Sequence, residues 1–434
     1  MSLLPSPEIQ GVTVCPHGGI DYAELETLGI APQEVLDFSA NLNPLGPPPG
    51  VIQALCSLSY ELSEAISHYP DSGACQLRYA LAEKLGIKAE NILVGNGSTE
   101  LIRLTALAYF AKGEQVLIAK PTFGEYQVAC QIVGASLIKQ QLLEGNDFQL
   151  NVDETVKLIK QHRPKGIFIS NPNNPTGRYL LQADFEKILN ASKDSLVVLD
   201  EAYISFVDSH WFSLNVVEGN NLLVLRSMTK DYAMAGLRLG YGVAREGIIA
   251  TLRRICPPWN VNALAQKAGI IAMNEEGYLK RSQIELREAK NYLVAELSSL
   301  GLPPLPSEAN FFLVKVGDAS KFRHELLKPT FAFRELRQTA LEIKVLLARG
   351  NLEKARAKMP CLVSRDTQSL AKPELVSATV ESVAENVGDS FVAPLFYFLL
   401  FGVPGAVAYR VVNTADAMIG YHGKYGHLGR FAAK

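Results

Sequence analysis

The stretch NLLVLRSMTKDYAMAGLRLGYGVA, residues 221–244, contains two short β-rich runs with a polar segment between them. Outward from it, similar runs alternate with helical patterns: NILVG at 91–95, QVLIA at 115–119, ASLIKQ at 135–140, GIFIS at 166–170 and SLVVLD at 195–200. This alternation is typical of an α/β domain whose mainly parallel sheet is covered by helices on both faces. Such sheets bind ligands at the carboxyl ends of their strands, so the polar residues that follow these runs are predicted to form a site.

The composition is that of an ordinary soluble protein. The chain has 434 residues, which suggests two or three domains, and its net charge of -2 argues against a nucleic-acid partner. Six scattered cysteines without CxxC pairs indicate reduced thiols and no metal site, and no export signal is visible, so we expect a cytosolic protein. Residues 391–412 are apolar with one charge, Arg410, and are broken by prolines and glycines. A broken or re-entrant membrane segment, or a buried hairpin, is as plausible there as a clean membrane span.

Lys230 directly follows a predicted strand and has Ser227, Thr229 and Arg238 close to it in the sequence. A lysine among cationic and polar groups can have a lowered pKa, which an imine-forming amine needs. The two hydroxyls and the guanidinium are suited to a phosphate. Most single lysines are solvated surface charges, so the surrounding pattern carries this interpretation.

Asp200 closes the apolar run SLVVLD, and a carboxylate buried there needs a cationic partner such as a protonated pyridine nitrogen. The turn after NILVG holds Gly95 and Gly97 before a predicted helix that begins near Ser98 and Thr99, where backbone amides can hold a phosphate. Three further residues are candidates to contact an aromatic ring ligand, by stacking or by hydrogen bonds to its oxygen: Phe123, Asn174 and Tyr203. Each of these three, taken alone, is as easily a core aromatic, a turn residue or a strand-end tyrosine.

Five motifs occur in one order: GNGSTE at 95–100, PTFGEY at 121–126, NPNNPTG at 171–177, LDEAY at 199–203 and SMTKDYAMAGLRLGY at 227–241. Together they resemble the fold-type I pyridoxal-phosphate aminotransferases over about three-quarters of the chain. The resemblance implies Lys230 as the Schiff-base lysine and Asp200 as the pyridine partner. It implies Asn174 and Tyr203 at the phenolic oxygen and Phe123 stacked on the ring. Residues implied at the cofactor phosphate are Ser98, Thr99, Ser227, Thr229 and Arg238, with Tyr69 reaching the cofactor of a second subunit in a homodimer.

Within that family, the sequence is similar to histidinol-phosphate aminotransferases and to L-threonine-O-3-phosphate decarboxylases. Three segments favour the decarboxylases: CPHGGID at 15–21, LDFSANLNPLGPP at 36–48 and PPWNVNALAQKAG at 257–269. By this resemblance His17 and Asn41, together with Asn174, bind the substrate, although a loop histidine and a turn cap explain His17 and Asn41 equally well. The implied reaction is loss of CO2 from threonine phosphate to give (R)-1-amino-2-propanol O-2-phosphate.

The segment from residue 329 to residue 434 resembles an internal portion of adenosylcobinamide-phosphate synthase, an integral membrane protein of cobalamin assembly. The similarity is strongest in SRDT at 364–367, ESVAEN at 381–386 and NTADAMIGY at 413–421. Its matching polar residues are Arg365, Asp366, Glu381, Glu385, Asn386, Asp389, Asn413 and Asp416. The carboxylates at 381, 385 and 389 share one helix face and either bind a divalent metal or form a solvated acidic surface.

The resemblances divide the chain into four segments: an N-terminal arm (1–40), a large cofactor-binding domain (41–270), a truncated small α+β domain (271–328) and a mostly helical extension (329–434). We expect a long helix at 276–300 and a strand at 309–316. The family's substrate-binding arginines that follow this strand are missing, and Arg323, Arg334 and Arg337 are the available substitutes. A fusion that binds the cofactor without turnover, attached to a membrane or a partner, therefore stays open beside the two enzymes.

Overall fold

The computed structural model describes residues 5–28, 31–32, 35, 37, 39–57, 67–319, 339–359 and 370–387. The chain divides into two compact units. The first comprises Met1–Gly18 and Phe38–Lys315, and the second comprises Gly19–Asp37 and Val316–Lys434. The division into four segments drawn from the sequence stays a prediction.

A seven-stranded sheet lies at the centre of the first unit, in the order β1-β7-β6-β5-β4-β2-β3. Its strands are β1 (Ile92–Asn96), β2 (Gln115–Lys120), β3 (Ser136–Gln141), β4 (Gly166–Ser170), β5 (Leu196–Asp200), β6 (Leu222–Ser227) and β7 (Leu239–Ala244). β7 is antiparallel to β1 and β6, and the pairs from β6 to β3 are parallel. Each predicted apolar run forms a strand, and the mainly parallel α/β sheet is confirmed.

Helices lie before, between and after the strands in the sequence of the first unit. They are Pro7–Gln10, Pro49–Ser57, Cys75–Leu85, Ser98–Tyr109, Glu125–Ile132, Val152–His162, Gln182–Ala191, Met228–Asp231, Glu246–Ile255, Ala263–Asn274 and Tyr278–Ser299. The last one confirms the long helix expected at 276–300. Several begin where the sequence supplies a cap; for example, the side chain of Asn262 accepts a hydrogen bond from the backbone amide of Ala265.

The two faces of the sheet are buried in separate hydrophobic clusters. Along β5, Val197 and Leu199 belong to one cluster and Leu196 and Val198 to the other, because successive side chains of a strand point to opposite faces. All five residues of β5 are buried. This two-sided burial explains why the strands read as continuous apolar runs rather than as alternating patterns.

The strand expected at 309–316 is wrong. These residues form no strand, and only an isolated antiparallel bridge joins Val314 to Pro304. The side chain of Lys290 donates hydrogen bonds to the carbonyl oxygens of Ser307 and Ala309. The carbonyl oxygen of Ala309, at the start of the expected strand, thus accepts a hydrogen bond from a side chain and not from a neighbouring strand.

The second unit is helical over most of its described residues. Its helices are Tyr22–Leu28, residues 339–348, Leu352–Lys358 and Lys372–Val387. A small hydrophobic cluster joins the last three: Ile343, Leu347, Ala355, Met359, Leu375 and Ala378. The mostly helical extension expected from the sequence is confirmed.

No described helix has the length and apolar character needed to cross a membrane. Residues 391–412, for which the sequence left a membrane segment open, lie outside the described residues. So do most of the polar residues that resemble the synthase, including Arg365, Asp366, Asp389, Asn413 and Asp416, and the substitute arginines Arg323, Arg334 and Arg337.

Leu223→Ala should destabilise the first unit strongly, because Leu223 is fully buried between the sheet and its helices. We expect a loss of about 2–5 kcal/mol in the free energy of unfolding, measured by urea denaturation. Leu107→Ala is the matched control, because Leu107 is 58% exposed on the helix Ser98–Tyr109. Equal effects of the two substitutions would contradict the assignment of this core.

Candidate active site

A cavity of about 1060 Å³ lies in the first unit at the carboxyl ends of the parallel strands. Asn96, Ser170, Asp200 and Ser227, the last residues of β1, β4, β5 and β6, are part of its wall. The structure brings nearly all the predicted site residues to this cavity: His17, Asn41, Ser98, Thr99, Phe123, Asn174, Asp200, Tyr203, Ser227, Thr229, Lys230 and Arg238. Tyr69 is the exception. The roles assigned to the individual residues stay predictions.

The antiparallel direction of β7 explains how Arg238 reaches this edge. Arg238 immediately precedes β7, and the start of an antiparallel strand lies beside the carboxyl ends of its neighbours. Leu239 is accordingly paired with Asn96 of β1, and Gly240 with Ser227 of β6. Residues separated by about 140 positions in the sequence therefore meet at one place.

A group of donors suited to an anion lies where these strands meet. The helix Ser98–Tyr109 begins there after Gly97, whose φ of 75° is a conformation that favours glycine. A side chain at Gly97 would also contact the guanidinium of Arg238. The hydroxyls of Ser227 and Thr229 are 2.7 Å apart in the same wall. Free amides at a helix start, hydroxyls and a guanidinium are the donors that bind a phosphate.

Asp200 is a buried carboxylate with neutral partners. Its Oδ2 accepts a hydrogen bond of 2.8 Å from the hydroxyl of Tyr126, and its Oδ1 accepts one from the amide of Ala202. The nearby cation Arg226 pairs with Glu201 instead, at 2.8 Å. Burial raises the pKa of Asp200 to about 6. Within the described residues no ion pair to Asp200 is found, so its surroundings fit a ligand that brings a cation, such as a pyridinium.

Lys230 belongs to the short helix Met228–Asp231, which follows β6. Its Nζ lies 5.9 Å from the centre of the Tyr203 ring. Burial raises the pKa of Tyr203 to about 12, and a hydrogen bond with Asn41 opposes that rise. The backbone around Lys230 is held by Asn43, whose amide donates to the Lys230 carbonyl and whose side chain donates to the Asp231 carbonyl.

The cavity wall also contains an ionic cluster. The Nε2 of His17 lies 3.0 Å from Oε1 of Glu125, and the guanidinium of Arg103 donates to Oε2 of the same carboxylate at 3.0 Å. Phe123 stands between this cluster and the core, with its ring centre 6.0 Å from that of His17 and 5.6 Å from that of Tyr126. The position of Phe123 in the cavity wall agrees with its predicted contact with a planar ring, which stays a prediction.

Tyr69 lies away from the cavity wall and is 77% exposed. Its ring is stacked on that of Trp259 with a centre-to-centre distance of 4.1 Å. The homodimer in which Tyr69 would reach a second subunit stays a prediction.

Several residues of the site were not singled out from the sequence, among them Arg103, Glu125 and Tyr126. Glu125 and Tyr126 belong to the motif PTFGEY, from which only Phe123 was selected. Their partners, His17 and Asp200, are 108 and 74 positions away, so no local spacing indicates the contacts. Arg103 is on the face of the helix Ser98–Tyr109 that meets Glu125, a contact visible only after folding.

Comparisons with known proteins agree with this architecture. The family model of aminotransferase class I and II matches residues 33–351, and that of CobD/Cbib protein matches residues 301–434. A histidinol-phosphate aminotransferase from Moorella thermoacetica is 40% identical over 303 residues, which are 68% of this chain and 76% of that protein.

Two solved structures share the fold. One is the L-threonine-O-3-phosphate decarboxylase of Porphyromonas gingivalis, with a TM-score of 0.60, 27% identity and coverage of 68% of this chain and 87% of that one. The other is a histidinol-phosphate aminotransferase of Sinorhizobium meliloti in complex with pyridoxal-5'-phosphate. Its TM-score is 0.65 at 21% identity, covering 74% of this chain and 84% of that one, and it supports the fold alone.

Asp231→Asn should change how stability depends on pH. Burial raises the pKa of Asp231 from 3.8 to about 7. The folded protein therefore keeps this proton to a higher pH than the unfolded chain. The resulting stabilisation is complete below pH 4 and is lost as the pH rises through 7. The wild type should lose about 2–3 kcal/mol between pH 5 and pH 8 that the variant does not lose.

The measurement is urea unfolding of both proteins at pH 5, 6, 7 and 8. Asp208→Asn is the control, because Asp208 is a half-exposed carboxylate paired with Arg287 at the surface. Parallel stability curves for the wild type and Asp231→Asn would contradict the prediction.

Proposed function

Since the chain belongs to the aminotransferase class I and II family, we propose that it decarboxylates L-threonine O-3-phosphate to (R)-1-amino-2-propanol O-2-phosphate. The cofactor is pyridoxal 5'-phosphate. One observation carries the proposal: the same chain continues into a segment that matches the CobD/Cbib protein family. The synthase that this segment resembles joins the corrin acid to the amine that such a decarboxylase produces. The solved decarboxylase at 27% identity supports the same reaction.

When bound, the cofactor draws electrons from whichever Cα bond stands perpendicular to its ring. The chain's own residues decide the rest. Asp200 would hold the pyridine nitrogen of the bound cofactor and favour its protonated form, because its carboxylate is buried and forms no ion pair within the described residues. Lys230 would hold the cofactor through its amino group, and its Nζ would deliver a proton to Cα after CO2 leaves.

The choice between losing CO2 and losing a proton depends on how the substrate is oriented. His17, Asn41 and Arg103 are polar residues of the cavity wall. They are not among the residues predicted to hold the cofactor phosphate. Hydrogen bonds from these residues to the acid groups of threonine phosphate would hold its carboxylate perpendicular to the ring. Loss of CO2 leaves its electron pair on Cα, where the proton from Lys230 is added.

A second candidate is transamination of a histidinol-phosphate-type substrate. The observation that favours it is the 40% identity to the Moorella thermoacetica aminotransferase. In that reaction the Cα proton would be removed by Lys230 and returned to the cofactor, so the same cavity serves both reactions. The two candidates differ in their products.

A third candidate is a fusion that binds the cofactor without turnover. Its motivation is that the sequence lacks the substrate-binding arginines that the family carries after residues 309–316, while residues suited to the cofactor line the cavity. A cytosolic location, the homodimer through Tyr69 and a membrane attachment through residues 391–412 likewise remain proposals.

Incubation of the purified full-length protein with threonine phosphate should release CO2 and an equal amount of the amino alcohol phosphate. Lys230→Ala should reduce this rate by at least about 1000-fold, since the amine that returns the proton is gone. Amino acid formation from histidinol phosphate and 2-oxoglutarate, without CO2, would overturn the decarboxylase in favour of the aminotransferase. Cofactor absorbance with neither product would favour the inactive fusion.

His17→Asn should raise the KM for threonine phosphate by about tenfold or more, since a hydrogen bond to a charged group contributes about 1.5–3 kcal/mol. The absorbance of the bound cofactor should not change, because His17 is not among the residues predicted to hold the cofactor. His162→Asn is the control, on the helix Val152–His162 and away from the cavity. An unchanged KM would mean that His17 serves Glu125 only.

A further inference from the structure

Cys15, His17 and Glu125 bring three different metal-binding groups together in the cavity wall. The sulfur, an imidazole nitrogen and a carboxylate oxygen all lie within 4.8 Å of one another. His17 and Glu125 are already in contact at 3.0 Å. Among the described residues no other group of three or more such side chains meets this condition. The cysteine spacing gave no sign of a metal site, because the carboxylate comes from a residue 108 positions beyond His17.

The local backbone is shaped around the sulfur. Gly124, next to Glu125, has no side chain, and a Cβ there would overlap the sulfur of Cys15. The absence of that atom lets the thiol lie against the start of the helix Glu125–Ile132. Glu125 itself is only 3% exposed, and Arg103 binds its Oε2. Its other oxygen, Oε1, is thereby aimed at His17 and Cys15.

This set of atoms has the chemistry of a zinc site. Thiolate, imidazole and carboxylate are the usual zinc ligands, at about 2.3 Å for sulfur and about 2.0–2.2 Å for nitrogen and oxygen. Tetrahedral geometry with these bond lengths separates the ligand atoms by roughly 3.3–3.6 Å. The observed cluster needs only small side-chain movements to reach that spacing. Calcium and magnesium prefer oxygen ligands and do not fit a site with a sulfur.

We propose that Cys15, His17 and Glu125 form an open three-ligand site for Zn²⁺ or a cation of the same class. The fourth position faces the cavity, which leaves it to water or to an anionic group of a bound molecule. A thiolate and a carboxylate together neutralise the divalent charge. This inference does not rest on the decarboxylase reaction, and it predicts binding whether or not the protein turns over threonine phosphate.

The test is titration of chelator-treated holoprotein, freed of unbound cofactor, with Co²⁺ as a spectroscopic substitute for Zn²⁺. One ion should bind per chain. It should give an intense thiolate-to-metal band in the near ultraviolet and tetrahedral d–d bands at the red end of the visible spectrum, beyond the absorption of the cofactor. Addition of Zn²⁺ should remove both signals by displacement.

Cys15→Ser should remove the thiolate band and raise the Kd for Zn²⁺ by at least tenfold, and His17→Gln should raise that Kd by a similar factor. Cys56→Ser is the matched control, because Cys56 is an exposed free thiol outside the cavity, and its binding should equal that of the wild type. Circular dichroism confirms that each variant is folded. No binding by the wild type, or equal binding by Cys15→Ser and the wild type, would overturn the proposal.

Discussion

The carboxylate of Asp200 is buried at the end of the central strand β5, where a cation is needed to balance its charge. Burial raises its pKa to about 6 although the charge of Lys230 opposes that rise, and within the described residues Asp200 forms no ion pair. A hydroxyl and an amide hold the group in place without neutralising it. Burying a carboxylate in this way costs free energy, and a cationic ring would offset that cost. In the proposed function, the cofactor supplies this cation.

The direction of the strands places everything else around that carboxylate. Parallel neighbours deliver the ends of β4, β5 and β6 to one edge, and the reversed strand β7 delivers its beginning there. The phosphate-type donors, the lysine and the carboxylate then lie on one side of the cavity. The N-terminal segment that contains His17 closes the other side through Glu125. The sheet positions the first group of residues. The second is positioned by the contacts of His17 and Arg103 with Glu125.

The sequence predicts the sheet well because its strands are buried on both faces and read as continuous apolar runs. Nearly all the site residues that it predicts line the cavity, and most of these follow strands in motifs of fixed order. It fails at residues 309–316, where an apolar pattern alone suggested a strand although Lys290 binds the backbone that a partner strand would need. Contacts across long sequence distances, such as Tyr126 with Asp200 or Cys15 with Glu125, have no local signature and had to come from the structure.

Because β7 pairs with β1 on one side and β6 on the other, ligand binding at this edge is coupled to folding of the sheet. The predicted phosphate donors Ser98 and Arg238 follow β1 and precede β7, and they come together only when these two strands have paired. A ligand that binds only the folded chain stabilises it by mass action. The free energy of unfolding rises by about 2.7 kcal/mol when the ligand concentration is 100 times its Kd. The bound cofactor would therefore stabilise the folded chain in addition to its part in the reaction.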